Sequence, residues 1–466
     1  MKRTFLTSIL FLLIFSCVAQ EYKYPSDPLV ASKLKVWQQK KFGLFMHWGI
    51  YSIPGIVESW SINSEHADWI PRDSTIAYDT YKKWYFDLNK QFNPVNFDPS
   101  KWAMAAKDAG MQYVVFTTKH HDGFSMFDTK YSTYKVTSPD VPFHKDPRAN
   151  IAKEVFNAFR KNGFMIGAYF SKPDWHNEDY WWPRYATPDR NNNYDIRIHP
   201  YRWNRFKAFT HNQLNELMSD YGSVDILWLD GGWVRPKSTI NAEVLSWGAP
   251  IPAWDQDIDM PAISRMARNK QPGLIMVDRT VHGEYENYQT PEQKIPEKPL
   301  NHPWETCMTM GNAWGYVPND IYKPANQLIH LLVDIVAKGG NFLLNIGPKP
   351  DGTLPDQALA RLKEIGLWMK INSDAIYNTM PVAPFKDKNV CFTQNIDGST
   401  YAVYLIPEAQ IPAGKISIEN PPVKPIRVTM LGSKEVLKFT SLGNTLSITL
   451  PSTAASMKHA LVFKLK

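Results

Sequence analysis

The sequence predicts an α/β chain, a (β/α)8-type barrel followed by a C-terminal antiparallel β-sandwich. Short apolar runs alternate with amphipathic stretches from residue 33 to about residue 372, and one such run, 224–230, ends on a carboxylate. Parallel strands in barrels are buried on both faces and carry functional groups at their C-terminal tips. After residue 378 the pattern changes to short alternating runs separated by Gly, Pro, Asn and Ser, which indicates the sandwich.

The length supports a division into two folded units. At 466 residues the chain exceeds the size at which a single core stops growing. We therefore predict a signal peptide at residues 1–19, a catalytic barrel at 20–380 and a β-sandwich domain at 381–466.

The N-terminus has the pattern of an export signal. Lys2 and Arg3 precede an apolar run, residues 5–15, that is too short to span a bilayer permanently. Cleavage after Ala19 would give a soluble periplasmic or secreted protein, whereas lipidation of Cys17 would give an anchored lipoprotein. Phe15 fits a lipoprotein signal poorly, so the sequence favours simple secretion. We expect no other membrane association.

The cysteines and the net charge indicate the state of the thiols and the class of partner. Cys307 and Cys391 remain after either cut and lie in different predicted domains, so we expect both to be free and buried. The net charge of +7 is the difference between 52 basic and 45 acidic residues, and no long basic run occurs. This indicates a solvated surface with some bias toward anionic glycans and argues against nucleic acid as a partner.

The barrel elements follow in order along the chain. The predicted strands are residues 42–47, 113–117, 165–169, 224–230, 274–277 and 342–346. The predicted helices are residues 102–109, 151–161, 203–219, 261–269, 328–337 and 359–371. The sandwich strands are predicted at residues 390–393, 400–405, 415–418, 426–430, 446–450 and 460–464. This alternation favours a closed barrel over a doubly wound sheet.

Asp230 is the first candidate for chemistry. It ends the apolar strand and is followed by Gly231 and Gly232, which remove side-chain bulk and would let a substrate ring approach. Trp228 and Trp233 offer flat apolar faces of the kind that stack on sugars. The alternative is a structural aspartate that caps the following segment.

A retaining glycosidase needs a second carboxyl group about 5 Å from the first. The strand 274–277 leads into a loop with three glutamates, and spacing alone does not choose among them: Glu284, Glu286 and Glu292.

Three histidines also follow predicted strands. His47 ends the first strand, and His120 and His121 follow the second. A metal site with Asp122 is one interpretation. Adjacent residues of an extended segment point to opposite sides, however, so His120 and His121 would chelate one ion poorly. We expect them to bind substrate hydroxyls, and we expect no metal and no cofactor.

Four motifs together resemble the α-L-fucosidases of glycoside hydrolase family 29. They are Phe-Gly-Leu-Phe-Met-His-Trp-Gly from Phe42, Thr-Lys-His-His-Asp-Gly-Phe from Thr118, Trp-Leu-Asp-Gly-Gly-Trp from Trp228 and Asn-Phe-Leu-Leu-Asn-Ile-Gly-Pro from Asn341. The resemblance covers residues 33–378. It implies a (β/α)8-like barrel with a C-terminal β-sandwich, in agreement with the pattern.

The resemblance also implies roles. Asp230 would be the nucleophile, Arg279 would lie beside it, and Tyr169 would line the pocket. The histidines that would bind fucose hydroxyls are His47, His120 and His121. Trp314 would lie near the methyl group of the sugar. The family's Glu-Trp motif is interrupted here as Glu58-Ser59-Trp60, so the placement of Trp60 in the site rests on a departure from the family pattern.

The resemblance identifies the residue that acts as general acid and base less directly. The segment Thr-Pro-Glu that ends at Glu292 looks most like the family's acid/base segment, and Glu286 is the alternative. The implied activity is exo-acting, retaining release of terminal L-fucose from fucosylated oligosaccharides or polysaccharides.

Three other functions stay open at this level. They are an α-L-galactosidase on the same scaffold, a non-catalytic glycan-binding surface lipoprotein and a metal-dependent barrel hydrolase. Linkage preference, tolerance of sulfation and oligomeric state depend on loops whose conformation the pattern does not predict.

Overall fold

The computed structural model describes residues 22–63, 72–73, 75–186, 189–408, 410–412, 414–433 and 435–466. The predicted signal peptide, with Cys17 and Ala19, lies outside the described residues. Within the described ranges, no helix combines the length and the apolar character that crossing a bilayer requires.

The first part of the chain alternates helices with parallel strands. Its helices α1 to α9 are Pro28–Lys40, Tyr78–Phe86, Pro99–Asp108, Ile151–Lys161, Pro200–Asp220, Ala242–Ser246, Met260–Lys270, Ala325–Ala337 and Asp356–Asn372. Its strands β1 to β7 are Phe42–Met46, Tyr113–Lys119, Met165–Ser171, Ile226–Asp230, Ile275–Asp278, Glu305–Thr309 and Asn341–Ile346. The strands form one parallel sheet in the order β5-β4-β3-β2-β1-β7-β6.

The strands are buried because both faces of the sheet are covered. Every residue of β1, β2, β5 and β7 is buried. Outside the sheet, α4 buries Ile151, Val155 and Phe159, which repeat every four residues and therefore share one helix face. Inside the curled sheet, Phe45 and Trp228 belong to a separate apolar cluster that fills the barrel.

The segment 285–293 closes the sheet between β5 and β6. It is joined to β5 by the bond from Asn287 N–H to Met276 O at 2.8 Å, and to β6 by the bond from Glu305 N–H to Gln289 O at 2.8 Å. This irregular segment takes the position of an eighth strand. The predicted architecture is thus confirmed, with seven regular parallel strands in the described part of the chain instead of eight.

The second part of the chain consists of antiparallel strands. Strands β8 to β15 are Thr379–Asp387, Val390–Asn395, Thr400–Leu405, Lys415–Glu419, Val428–Met430, Phe439–Leu442, Thr445–Thr449 and Ala460–Leu465. They form a five-stranded sheet, β12-β15-β10-β9-β8, and a three-stranded sheet, β11-β14-β13. Side chains from both sheets share one apolar core, among them Phe392, Ile418, Ile448 and Phe463.

This sandwich packs on helices α8 and α9. The Trp368 indole N–H donates to Ala460 O at 3.1 Å, and Lys386 pairs with Asp334 at 2.6 Å. Strand β8 begins at Thr379, two residues before the predicted start of the second domain.

The pattern missed several elements, of which β6 matters most. Its sequence, Glu-Thr-Cys-Met-Thr, has no apolar run, yet all five residues are buried. Glu305 Oε2 accepts a bond from the Tyr113 hydroxyl at 2.6 Å, and the Thr306 hydroxyl donates to Lys294 O at 2.8 Å, so the interior supplies partners for polar side chains of the strand. Helix α1 and strands β8 and β13 were also not predicted. The expectation for Cys307 and Cys391 is confirmed, since both are free and buried.

Candidate active site

A cavity of about 750 Å³ lies at the C-terminal ends of the parallel strands. Every side chain that the sequence predicted for the site lines it: His47, Trp60, His120, His121, Tyr169, Trp228, Asp230, Trp233, Arg279, Glu292 and Trp314. His47 follows β1, Asp230 ends β4 and Arg279 follows β5, so the curled sheet brings together residues that are far apart in sequence.

Asp230 is held in place by the residue that follows it and by the neighbouring strand β3. Its Oδ1 accepts a bond from Gly231 N–H at 2.8 Å, and its Oδ2 accepts one from the Tyr169 hydroxyl at 2.8 Å. Gly231 has φ +86°, and a Cβ there would lie 2.2 Å from Pro173 Cδ. The backbone conformation and Pro173 therefore require this glycine, a different reason from the room for a sugar that the sequence suggested.

Arg279 connects the two candidate carboxylates. Its Nη1 donates to Asp230 Oδ1 at 3.3 Å, and its Nη2 contacts Glu292 Oε2. Burial alone would raise the pKa of Asp230, but the Arg279 cation and the hydrogen bonds to the carboxylate outweigh burial and lower that pKa to about 2. Asp230 is therefore ionised at neutral pH. Glu292 contacts the other terminal nitrogen of the same guanidinium.

Glu286, the alternative second carboxyl group, has a different environment. Its Oε1 accepts a bond from Thr280 N–H at 2.9 Å, and its Oε2 lies 2.6 Å from His282 Nδ1. Its side chain is 2 % exposed, whereas that of Glu292 is 39 % exposed. Burial raises the pKa of Glu286. Glu292 is thus the more accessible of the two to a departing group.

His47 presents a hydrogen-bond acceptor to the cavity. Its Nδ1 lies 2.7 Å from Asn345 Oδ1, and Asn345 Nδ2 donates to Trp314 O at 2.7 Å. The second bond fixes the orientation of the amide, so we assign the proton to His47 Nδ1 and the lone pair to Nε2. Burial lowers the pKa of His47 to about 4, which keeps the ring neutral at neutral pH.

The two adjacent histidines are anchored by serines. His121 Nδ1 lies 2.7 Å from Ser171 Oγ, which itself donates to Pro173 O at 2.8 Å, so Nδ1 carries the proton here as well. Burial lowers the pKa of His121 to about 4. His120 Nδ1 lies 2.6 Å from Ser59 Oγ. His121 thus offers a neutral Nε2 acceptor, 3.8 Å from Asp230 Oδ2.

Aromatic rings form two walls of the cavity. On one side the Trp60 and Trp233 rings meet edge to face at 5.4 Å. On the other side Phe45 contacts Trp228 at 5.2 Å and Trp314 at 5.9 Å between ring centroids. These faces suit the apolar surface of a sugar ring.

One set of side chains has donor atoms near enough to suggest a metal site. The candidate donor atoms of His120, His121 and Asp230 all lie within 4.8 Å of one another. Arg279 Nη1, however, lies 3.3 Å from Asp230 Oδ1, so a positive charge already occupies the side of this carboxylate and would repel a bound cation. The arrangement is better suited to sugar hydroxyls than to a cation.

Comparison with known proteins identifies the family. The family model described as alpha-L-fucosidase matches residues 14–374. The chain belongs to the α-L-fucosidase family. Among curated relatives, tissue alpha-L-fucosidase of Mus musculus is 30% identical over 444 residues, covering 92% of this chain and 91% of that protein. Tissue alpha-L-fucosidase of Homo sapiens is 30% identical, covering 96% of this chain and 94% of the relative.

Solved α-L-fucosidase structures share the fold over nearly the whole chain. Alpha-L-fucosidase isoenzyme 1 from Paenibacillus thiaminolyticus superposes with a TM-score of 0.75 at 29% identity, covering 94% of this chain and 99% of that one. A family 29 α-L-fucosidase from Bacteroides thetaiotaomicron, trapped as a covalent intermediate with 2-fluoro-fucosyl fluoride, superposes with a TM-score of 0.73 at 25% identity, covering 96% and 98%. The resemblance in the four motifs is thus confirmed.

The α-L-fucosidase site also contains residues that the sequence analysis did not assign. Glu58, from the interrupted Glu58-Ser59-Trp60 motif, is buried in the cavity wall and accepts a bond from Trp60 N–H at 3.1 Å. Phe45 lies between two predicted tryptophans. The sequence signal for Glu58 was the interrupted Glu58-Ser59-Trp60 motif itself, since the family's motif pairs a glutamate with the tryptophan. The inserted Ser59 contacts His120 in the structure. Phe45 gave no signal, since an apolar residue inside a strand is ordinarily core.

Proposed function

We propose that this protein is an exo-acting retaining α-L-fucosidase that releases terminal L-fucose from fucosylated glycans. The observation that carries the proposal is the Asp230–Arg279–Glu292 arrangement inside a cavity walled by histidines and indoles. This arrangement places two carboxyl groups against one guanidinium, and retaining glycosidases use such a pair of nearby carboxyl groups. Membership of the α-L-fucosidase family selects the sugar.

In the first step, Asp230 attacks the anomeric carbon of a bound fucoside and forms a glycosyl-enzyme ester. The bond from that carbon to the glycosidic oxygen breaks, and Glu292 donates a proton to the departing oxygen. Asp230 suits this role because its pKa of about 2 keeps it ionised. Glu292 suits the other role because its side chain is open to the cavity.

In the second step, Glu292 takes a proton from water, and the oxygen of that water attacks the same carbon. The ester bond breaks, fucose leaves with its original anomeric configuration, and Asp230 regains its charge. The hydroxyls of the sugar would donate to Nε2 of His47 and His121, while its apolar face would lie against Trp228 and Trp314. A sugar without the matching hydroxyl would leave buried acceptors unpaired, which discriminates strongly.

Proton NMR of the first-formed product tests the mechanism, because retention gives the α-anomer of fucose before mutarotation. Incubation with 2-fluoro-fucosyl fluoride followed by peptide mass mapping should place the adduct on Asp230. A first-formed β-anomer, or an adduct on another residue, would contradict the two-step scheme with this nucleophile.

Azide rescue distinguishes the two candidates for the acid/base. We expect Glu292→Ala to lose most activity on an aryl fucoside and to regain part of it with azide, yielding fucosyl azide. Glu286→Ala should show no azide product. Rescue of Glu286→Ala with no rescue of Glu292→Ala would exchange the assignments.

Export of the protein is a further part of the proposal, supported by residues 2–19 of the sequence. We propose a periplasmic or secreted protein processed after Ala19, with a lipid anchor at Cys17 as the other outcome. The mass of the native N-terminus decides between them, since a diacylglycerol adduct on Cys17 would identify a lipoprotein.

A further inference from the structure

The cavity continues beyond the residues that would hold fucose. Its volume of about 750 Å³ lies in the range of roughly 300–1,000 Å³ that encloses drug-sized ligands, so it exceeds the needs of a single sugar ring. The additional wall includes Glu243 and Trp247 of the α6 region and His282 and Thr290 of the loop after β5. We propose that this part of the cavity is a leaving-group subsite for a neutral pyranose, with the Trp247 indole as its platform.

The position of the subsite follows from the mechanism, and the inference rests on the proposed function in this respect. A general acid must contact the oxygen that it protonates, so the leaving group lies beside Glu292 and away from Asp230. Thr290 is two residues before Glu292, and Gln289 Nε2 approaches His282 Nδ1 at 3.5 Å. The wall therefore runs from Glu292 toward His282 and on to α6.

A pair of bonds ties α6 to the segment that carries Glu292. His282 Nε2 lies 2.7 Å from Glu243 Oε2, and His282 Nδ1 lies 2.6 Å from Glu286 Oε2. Glu243 and Trp247 are four residues apart on α6 and its C-terminal cap, so they share one face. The bond that holds Glu243 against His282 thus also turns Trp247 toward the cavity.

Trp247 is supported on one side by a fixed cation. The guanidinium carbon of Arg235 lies 5.5 Å from the centroid of the indole. Arg235 is buried and donates to Thr239 O at 3.1 Å, with further contacts to Gly232 O and Thr280 O. The indole is half-buried. A support held in this way keeps the platform in place before a ligand arrives.

The chemistry of the wall favours a neutral sugar. The charged groups of this wall are already paired with one another, since His282 lies 2.7 Å from Glu243 Oε2 and 2.6 Å from Glu286 Oε2. Thr290 Oγ1 is buried and has no hydrogen-bond partner among the described residues, which leaves a polar atom in the wall for a ligand hydroxyl. An indole face together with an unpaired hydroxyl suits a pyranose, which has apolar C–H faces and a polar edge.

Substrates with two kinds of leaving group, fluoride and a sugar ring, test the subsite. α-L-Fucosyl fluoride leaves only fluoride and places nothing on Trp247, whereas fucosyl-galactose and fucosyl-N-acetylglucosamine place a ring there. In Trp247→Ala we expect kcat/KM for the disaccharides to fall by roughly fivefold to tenfold, the effect of losing one aromatic contact. We expect kcat/KM for the fluoride to stay at the wild-type value. Trp247→Phe should retain most of the disaccharide activity because a ring remains.

Trp84→Ala is the matched control, because Trp84 is exposed on α2 outside the cavity. This substitution should leave kcat/KM unchanged for the fluoride and for the disaccharides. Equal losses on both substrates, or no loss on either, would overturn the subsite. A wild-type enzyme that hydrolyses the fluoride but no neutral disaccharide would also overturn it and leave the fucosidase activity standing. A wild-type enzyme that releases fucose from neither substrate would instead contradict the proposed function.

Discussion

At the scale of single residues, Arg279 determines how Asp230 can act as a nucleophile inside an enclosed cavity. Burial favours the neutral acid, and a neutral carboxyl would be a poor nucleophile. The guanidinium reverses this preference through a charge contact at 3.3 Å, and two hydrogen bonds add to it. The same guanidinium contacts Glu292, so one side chain lies between the two carboxyl groups.

We therefore expect Arg279→Gln to move the acid limb of kcat/KM to higher pH. A depressed pKa means that Asp230 stays ionised down to about pH 2, so its titration does not limit the wild-type enzyme in the mildly acidic range. Without the cation, burial is no longer outweighed, and the pKa should rise by about one to three pH units. Profiles of kcat/KM on an aryl fucoside from pH 3 to 8 measure the change.

Arg197→Gln is a suitable control, because Arg197 is exposed and pairs with Asp195 outside the cavity. An Arg279→Gln enzyme whose acid limb coincides with that of the wild type would show that the cation does not control the ionisation of Asp230.

At the scale of elements, the segment 285–293 performs two tasks. It closes the barrel between β5 and β6, and it carries Glu292 to the cavity. Asn287 anchors it, since its Oδ1 accepts bonds from Met276 N–H at 2.8 Å and from Arg268 at 3.2 Å. The position of Glu292 thus depends on a buried amide several residues away.

Asn287→Ala should therefore lower both stability and activity. Loss of the amide leaves the Met276 N–H unpaired in the interior, which costs about 1–3 kcal/mol in the free energy of unfolding. We expect kcat to fall as well, because Glu292 loses its fixed position. Chemical denaturation and kinetics on the same samples measure the two effects.

Asn204→Ala, at an exposed asparagine of α5, should change neither quantity appreciably and serves as the control. A stability loss in Asn287→Ala with unchanged kcat would show that the segment closes the barrel without positioning Glu292.

The contact of His282 with two glutamates makes the link to α6 dependent on pH. Glu243 and Glu286 raise the pKa of His282 to about 10 from an ordinary value near 6.5. The stabilisation is therefore complete below about pH 6.5, where the unfolded chain also carries the proton, and is lost as pH rises toward 10. We expect the difference in Tm between the wild type and His282→Gln to be largest near pH 6 and to shrink by pH 10.

Differential scanning fluorimetry over that pH range measures the difference. Glu419→Gln removes an exposed carboxylate that pairs with Lys388 and controls for a general loss of surface charge. A Tm difference that stays constant from pH 6 to 10 would contradict a charged His282 in the folded protein.

At the scale of the whole molecule, the sandwich and the barrel share buried surface. The apolar core of the barrel includes Tyr401 and Val462 of the sandwich, and Trp368 of α9 donates to Ala460 O. We propose that the sandwich acts as a cap on the barrel rather than as a separately moving module.

Calorimetry should accordingly show a single unfolding transition. Trp368→Ala creates a cavity in the shared core and costs about 3–5 kcal/mol, so the one transition should move to lower temperature as a whole. Trp84→Ala, which removes an exposed tryptophan, should leave the temperature of the transition unchanged. Two separate transitions, with only one of them shifted in Trp368→Ala, would contradict the cap.

The pattern of residues along the chain was enough to predict the architecture and most of the site. Apolar runs such as 113–116, repeated in alternation with amphipathic stretches, indicate buried parallel strands, and polar residues at the ends of such strands, such as Asp230 and His47, collect at one edge of the sheet. It also left Glu286 and Glu292 as the candidates for the second carboxyl group.

Features that depend on contacts between distant segments became apparent only in the folded structure. It showed that β6, which is half polar, is a strand, because its partners Tyr113 and Asn341 come from elsewhere in the chain. It placed Glu292 on Arg279 and turned Glu286 toward His282, a distinction that spacing cannot make because both glutamates lie in one irregular segment. Periodicity reports which face of an element is buried, whereas only packing reports which side chains meet.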